Sequence, residues 1–369
     1  MFVVTNREIV EGGRGFNKVG SRPNSKGSNE LRILDAQKIR GKWKIKVLAD
    51  KLKDDQTMQS ECERLRKKFK IGEAVIPTYG AYSSEYVALK TLENIRGKQR
   101  DFLLFVHGFN NDLEAVLERA QKLSKLYRVE VIPFSWPANG GGVKGVASYK
   151  SDKRDARVSA GAMDRVLEFV NMYVNAINDH NNRLIIEEVE KNSQLCKNLE
   201  ERDQFLAEKM QQFCPFRVNL LLHSMGNYLF KQLLMSDVYH ARNLLFDNVV
   251  MAAADVNNAG HDSWVETIQA RNRVYVTINE DDSALKVSRA KSGQEQLARL
   301  GHYTKNLSAS NATYVDFTYA KEVGNSHAYF SDDSVENPKV RRFFREALRG
   351  DSAEDRLDYD PARDLFRVL

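Results

Sequence analysis

The octapeptide Leu220-Leu221-Leu222-His223-Ser224-Met225-Gly226-Asn227 is an apolar run that ends at a serine and changes at once to helical spacing. A tight strand-to-helix turn at that point would lift the Ser224 hydroxyl above a sheet edge. It would also aim the Met225 N–H at the place where an oxyanion forms during acyl transfer. The positive end of the following helix favours the same negative charge. Such a turn crowds the backbone, so small residues are wanted two before and two after the serine. Gly226 meets the second need, and Leu222 stands at the first.

A serine hydroxyl needs a base, and seven histidines are available. The order nucleophile, acid, base restricts the search to His240, His261, His302 and His327. His240 lies beyond the far end of the helix that starts at the serine. His261 follows the fourth core strand, and His302 sits in a connection that faces either way. His327 comes just after the last core strand and before a helix that opens at Asn337-Pro338, the expected place for the base. The acid should end the preceding strand, where Asn279 is followed by Glu280, Asp281 and Asp282. Asp282 is the expected partner and Asp281 the alternative. Asp282 before Ser283-Ala284-Leu285 also reads as a helix N-cap. Asp255 is a further acid position or a wall of the site. At another strand end, His107-Gly108-Phe109-Asn110-Asn111 lets a loop approach Ser224, with the Phe109 N–H as second oxyanion donor and His107 tying the loop down.

These residues require a sheet whose carboxyl edge gathers them. Short, nearly continuous apolar runs at Phe102 to Val106, Val129 to Phe134, Val218 to Leu222, Val249 to Ala253, Arg273 to Ile278 and Ala312 to Thr318 read as buried strands. Helical spacing separates most of them, as at Leu113 to Leu126, Asp155 to Ile177 and Tyr228 to Met235. Alternation of this kind predicts a mostly parallel α/β sheet flanked by helices, with its ligand site at the strands' carboxyl ends. Residues 1–99 read as a basic β-ribbon (Glu30 to Ile39 and Lys42 to Leu48) plus helices packed on the core. Residues 100–350 read as the catalytic domain with a helical insertion at 178–216, and 351–369 as an acidic, loosely docked extension.

With 369 residues, 42% apolar and 29% charged, the chain has the composition of a folded globular protein. It contains no apolar run long enough to cross a bilayer and no secretion-type leader, so the expected location is the cytoplasm. Cys62, Cys196 and Cys214 lack paired spacing, which predicts reduced thiols. Of the net charge of +6, residues 1–52 alone carry twelve basic against five acidic side chains. That segment is a candidate contact for an anionic surface. Its few aromatics argue against a base-stacking nucleic-acid platform. No metal cluster or phosphate loop is found; Gly140-Gly141-Gly142 lacks the Lys-Ser or Lys-Thr of a nucleotide loop and reads as a hinge. No cofactor and no metal are expected.

Taken together, His107-Gly108-Phe109-Asn110, Phe134-Ser135-Trp136-Pro137, His223-Ser224-Met225-Gly226-Asn227, Asp255, Asp282-Ser283-Ala284-Leu285 and His327 with Tyr329-Phe330 resemble the motif series of an uncharacterised bacterial α/β-hydrolase family. The resemblance spans roughly residues 100 to 350 and implies an α/β-hydrolase fold with Ser224, Asp282 and His327 as nucleophile, acid and base. It implies no particular substrate. The expected activity is cleavage of an ester-type bond (carboxylester, lipid or thioester) in a small-molecule or lipid substrate through an acyl-enzyme. The alternative is a catalytically silent scaffold of the same fold acting as a protein-interaction module.

Overall fold

The computed structural model describes residues 1–138, 149–192, 198–212, 216–236, 243–289 and 297–369. It divides into two compact units. One comprises Met1–Leu48, Arg100–Leu167 and Arg217–Leu369, the other Ala49–Gln99 and Glu168–Phe216. The Gly140-Gly141-Gly142 hinge, His240, Cys196 and Cys214 lie outside the described residues.

In chain order the elements begin with β1 (Phe2–Thr5), β2 (Arg7–Ile9), β3 (Val19–Pro23), β4 (Arg32–Ile39) and β5 (Lys42–Val47). Helices α1 (Gln56–Lys68) and α2 (Ser83–Lys98) follow, then β6 (Phe102–Val106), α3 (Leu113–Tyr127) and β7 (Glu130–Ser135). Next come α4 (Tyr149–Val158), α5 (Ala160–Asn192), α6 (Leu199–Gln212), β8 (Val218–His223), α7 (Met225–Leu234) and β9 (Phe246–Ala252). The chain ends with α8 (Asp262–Val265), β10 (Ala270–Ile278), α9 (Ser283–Arg289), β11 (Ala312–Asp316), α10 (Pro338–Ala347), β12 (Asp358–Asp360) and β13 (Leu365–Arg367).

The first unit is built on an 11-stranded sheet in the order β12-β13-β11-β10-β9-β8-β6-β7-β1-β4-β5. All pairings from β1 through β7, β6, β8, β9, β10 and β11 to β13 are parallel, and only the two ends are antiparallel. The strands are apolar throughout because both faces are covered. Leu103, Phe105, Leu221, Val250, Tyr275 and Val315 lie in one core with Ala120, Leu123 and Tyr127 of α3 and Val340, Phe343 and Phe344 of α10. Their alternates Leu104, Leu220, Val249, Met251 and Val276 point the other way and are equally buried. Helix α3 shows how the sequence sets this up. Asp112 caps it by accepting the Ala115 N–H at 2.8 Å, and Leu113, Val116, Leu117, Ala120, Leu123 and Tyr127 recur at helical spacing on its buried side.

The predicted antiparallel ribbon is present as β4 and β5, and a second small one pairs β2 with β3. The linear partition at 99 and 350 is not how the chain divides. Strand β1 lies parallel to β7 inside the main sheet, so residues 1–48 continue that sheet while 49–99 belong to the helical unit. Val3, Leu34, Ala36 and Ile45 pack on Leu113 and Leu117 of α3, which gives the ribbon a core of its own. No break occurs at 178, because α5 runs unbroken from 160 to 192. The tail is likewise no loose extension. Strands β12 and β13 extend the sheet beside β11, with Leu365 and Val368 buried.

In the second unit α1 packs on α2, tied by Arg64, Lys68 and Lys90 to Glu61 and Glu93, both of whose carboxyls are held down to about 2. For Glu61 the cause is hydrogen bonding to Arg64 and Lys90; for Glu93 burial opposes the same kind of bonds from Lys68, Lys90 and Arg64. Cys62 is buried and unoxidised, its thiol pushed up to about 11 by desolvation. Among the described residues no helix is long and apolar enough to cross a membrane.

Candidate active site

Ser224 stands between β8 and α7 with φ 53° and ψ −121°. This is backbone space that a side chain enters only at a cost of order 1–3 kcal/mol, and it persists where the surroundings over-determine it. Here they do. The Ser224 N–H donates to Ala252 O on β9 at 3.0 Å, and its C=O accepts from Asn227 N at 3.0 Å, Asn227 Nδ2 at 3.0 Å and Asp255 N at 3.3 Å. Asn227, fully buried, also donates to Leu222 O at 3.2 Å. A methyl group on Gly226 would stand 2.8 Å from Val106 O and 2.9 Å from His107 O, so only glycine lets α7 start this close to β6. Leu222 does not obstruct the turn. It is a regular β8 residue opposite Met251 and Val106, with its side chain in the core.

His327 Nδ1 lies 2.6 Å from Asp282 Oδ2. Asp282 is wholly buried; its Oδ1 accepts the Leu285 N–H at 2.9 Å and so caps α9. One carboxylate thus meets both geometries that the sequence suggested for it, and neither oxygen is free to turn. Asp281 is exposed and reaches Lys286 at 3.1 Å, on the solvent side. The His327 loop is fixed by Asn279, whose Nδ2 donates to Gly324 O and Ser326 O, each at 3.0 Å, and by a short Ser326 to Asp332 bond. His223 reaches across from β8: its Nε2 is 3.0 Å from His327 O and the two rings are 4.8 Å apart. Because a carbonyl only accepts, His223 carries its proton on Nε2. Burial, then the His327 and Arg119 charges, push its pKa well below the ordinary value, so it stays neutral. Ser224 and His327 are thereby placed on neighbouring structures. Among the described residues no hydrogen bond joins the Ser224 hydroxyl to His327, and such contacts are commonly loose without substrate.

The loop after β6 approaches the elbow closely. A methyl group on Gly108 would lie 2.7 Å from Ser224 Cβ and 3.2 Å from its Oγ. His107 Nδ1 holds Gly108 O at 2.7 Å, and its ring stacks on Trp136 at 5.1 Å while Trp136 Nε1 donates to His107 O at 2.9 Å. Burial, aided by the Arg7 charge, lowers the His107 pKa to about 3. The Asn110 N–H donates to Asp152 Oδ2 at 3.2 Å, which holds the loop one residue after Phe109, the second oxyanion donor expected from the sequence. Phe109 packs edge-on against Tyr149 at 5.5 Å. The Tyr149 hydroxyl donates to Asp255 Oδ2 at 3.0 Å, and Asp255 Oδ1 takes Ser288 Oγ at 2.7 Å and Arg299 Nε at 3.2 Å. Asp255 is therefore tied to Arg299 in a buried polar cluster beside the elbow. His261 is occupied by Asn258 O at 2.6 Å and the Tyr314 hydroxyl at 2.5 Å. His302 is buried with neither ring nitrogen partnered among the described residues.

Sequence reasoning missed Asn227 as the brace of the elbow, and it missed Arg7, Asp152, Tyr149, Ser288 and Arg299. Asn227 was detectable as a polar residue in an apolar helix; the others come from distant parts of the chain. Among the described residues no group of His, Cys, Asp and Glu has the arrangement of a metal site.

A family model described as "Alpha/beta hydrolase of unknown function (DUF900)" matches residues 85–178 and 181–342, well over half of the chain. No curated protein and no solved structure matches it significantly.

Proposed function

The chain belongs to this family of α/β-hydrolases of unknown function, and within it we propose that the protein is a serine hydrolase that cleaves an ester-type bond through an acyl-enzyme. The observation that carries the reading is the strained Ser224 backbone at a strand-to-helix turn, beside a loop that delivers the His327–Asp282 pair at 2.6 Å. A carboxylate accepts, so His327 holds its proton on Nδ1 and presents the lone pair of Nε2. Ser224 Oγ attacks the carbonyl carbon as Nε2 takes its proton. The imidazolium stands against Asp282, and the carbonyl oxygen becomes an oxyanion held by the Met225 and Phe109 N–H groups. Collapse expels the leaving group with the proton from His327, and water repeats the sequence on the acyl-enzyme. Each oxyanion donor is worth about 10²–10³ in kcat. Carboxylesters, lipid esters and thioesters all offer the required carbonyl.

A screen of p-nitrophenyl esters of graded acyl length tests this, with Ser224→Ala and Asp282→Asn alongside. The reading expects turnover that Ser224→Ala abolishes and that Asp282→Asn, which disturbs the tautomer, lowers by about 10⁴. Turnover that survives Ser224→Ala contradicts it; a folded protein with no turnover on any ester favours the silent scaffold.

A further inference from the structure

Arg7, at the start of β2, is 2% exposed. Its guanidinium makes three hydrogen bonds, all to neutral oxygens: Nε to Ser135 Oγ at 3.0 Å, Nη1 to Ala138 O at 3.2 Å and Nη2 to Asn111 O at 2.8 Å. Among the described residues it forms no ion pair. Burying a cation without a paired anion is costly, and here burial draws the Arg7 pKa down to about 10 against the opposing fields of Asp112 and Asp152. What an arginine supplies for that cost is a planar fork that fixes several acceptors at once.

The acceptors lie at two places that matter. Asn111 O belongs to the loop that touches Ser224, while Ser135 is the last residue of β7 and Ala138 lies three residues beyond it, past the Trp136 that stacks on His107. The fork itself stands on a rigid base. Thr5 Oγ1 donates to Ser135 O at 2.6 Å and accepts the Arg7 N–H at 3.1 Å, and Asn6 Nδ2 donates to Ser28 O at 2.8 Å and Ser159 Oγ at 2.9 Å. Within the loop, Asn111 Nδ2 ties Gly108 O at 3.2 Å and Phe109 O at 2.7 Å. Fixing Asn111 therefore fixes the peptide plane that carries the Phe109 N–H. The Arg7 charge also reaches His107, the first residue of the loop.

We propose that Arg7 is a positioning residue for the oxyanion loop: its fork clamps the backbone of residues 108–111 to the end of β7 so that the Phe109 N–H faces the oxygen of a carbonyl attacked by Ser224. The inference rests on the serine-hydrolase reading and extends it to a segment that the family model does not cover. The N-terminal strands thereby become part of the catalytic apparatus.

The test compares the full chain with Arg7→Lys, which keeps the charge and loses the fork, and with Ser135→Ala, which removes a single acceptor. Amide hydrogen exchange and p-nitrophenyl ester kinetics are read on each, with rates counted per phosphonate-titrated site. In Arg7→Lys, exchange in peptides covering 107–112 and 134–138 rises by about tenfold or more while β8, β9 and β10 stay protected. In the same variant kcat falls by about 10²-fold with KM roughly unchanged, and Ser135→Ala lies between it and the parent. Unchanged exchange at 107–112, loosening spread over the whole sheet, or an unchanged kcat per titrated site overturns the proposal. If the parent chain hydrolyses no ester, the reaction fails while the exchange result still decides the clamp: local loosening keeps it and unchanged protection removes it.

Discussion

At the scale of single residues the account turns on Ser224, a buried serine whose strained backbone sets its hydroxyl at the strand-to-helix turn. At φ 53° and ψ −121° a Cβ is strained and a glycine is not. Ser224→Gly should therefore be more stable than Ser224→Ala, by about 1 kcal/mol in urea unfolding; equal midpoints would mean the turn is not strained. The buried histidines make a second prediction. His107 is held neutral down to about 3 and His223 is held neutral well below its ordinary 6.5, whereas in the unfolded chain both protonate near 6.5. Below pH 6.5 the unfolded state thus binds more protons, so stability is full above that pH and is lost on acidification toward about 3. The slope is up to about 1.4 kcal/mol per pH unit for each histidine. Urea midpoints from pH 7 down to pH 5 measure it, and His107→Gln should flatten the slope; an unaltered slope would show that His107 titrates normally in the fold. Ser224 and Asp282 were legible as candidates because each follows the end of an apolar strand, and His327 because it lies in the connection between the last core strand and the closing helix. Arg7, Asp152 and Tyr149 were not, because nothing near them in sequence shows that folding brings them to residues 109–111.

At the scale of elements, the strands β6 to β11 were readable because burial on both faces turns them into short apolar runs. The strands at the margins were not. Strand β1 looks like any apolar stretch, and its parallel partner β7 lies about 130 residues away with no local turn to announce the pairing. Strands β12 and β13, Asp358–Asp360 and Leu365–Arg367, are only three residues each, and they form because β11 offers β13 an edge on which β12 then pairs. That part of the chain also satisfies buried groups: Asp351 O accepts Asn248 Nδ2 at 2.8 Å, the Ala353 N–H meets the Tyr275 hydroxyl at 2.8 Å, and Glu354 takes both that hydroxyl and Arg273. Ending the chain after Gly350 strips these partners, at about 1–3 kcal/mol for each buried group left unmet. The shortened protein should unfold at markedly lower urea, whereas an unchanged midpoint would mean the tail is only laid on the surface.

At the scale of the whole molecule, the basic surplus has a structural place. Lys42, Lys44 and Lys46 alternate along the exposed face of β5, the outermost strand, while Trp43, Ile45 and Val47 face inward. Lysines on an edge strand hinder pairing with another sheet. Replacing all three with threonine should promote self-association in sedimentation, and a triple variant that stays monodisperse would mean the lysines do not guard this edge. The division into units was the least legible feature, since each unit is assembled from segments far apart in sequence. The claim that binds residue, element and molecule together is that this fold activates Ser224. Labelling the intact protein with a fluorophosphonate and locating the adduct by mass spectrometry tests it most directly. The account predicts one adduct, on Ser224, formed far faster than in His327→Ala and absent from Ser224→Ala; a folded protein that stays unlabelled, or is labelled equally fast in His327→Ala, would contradict it.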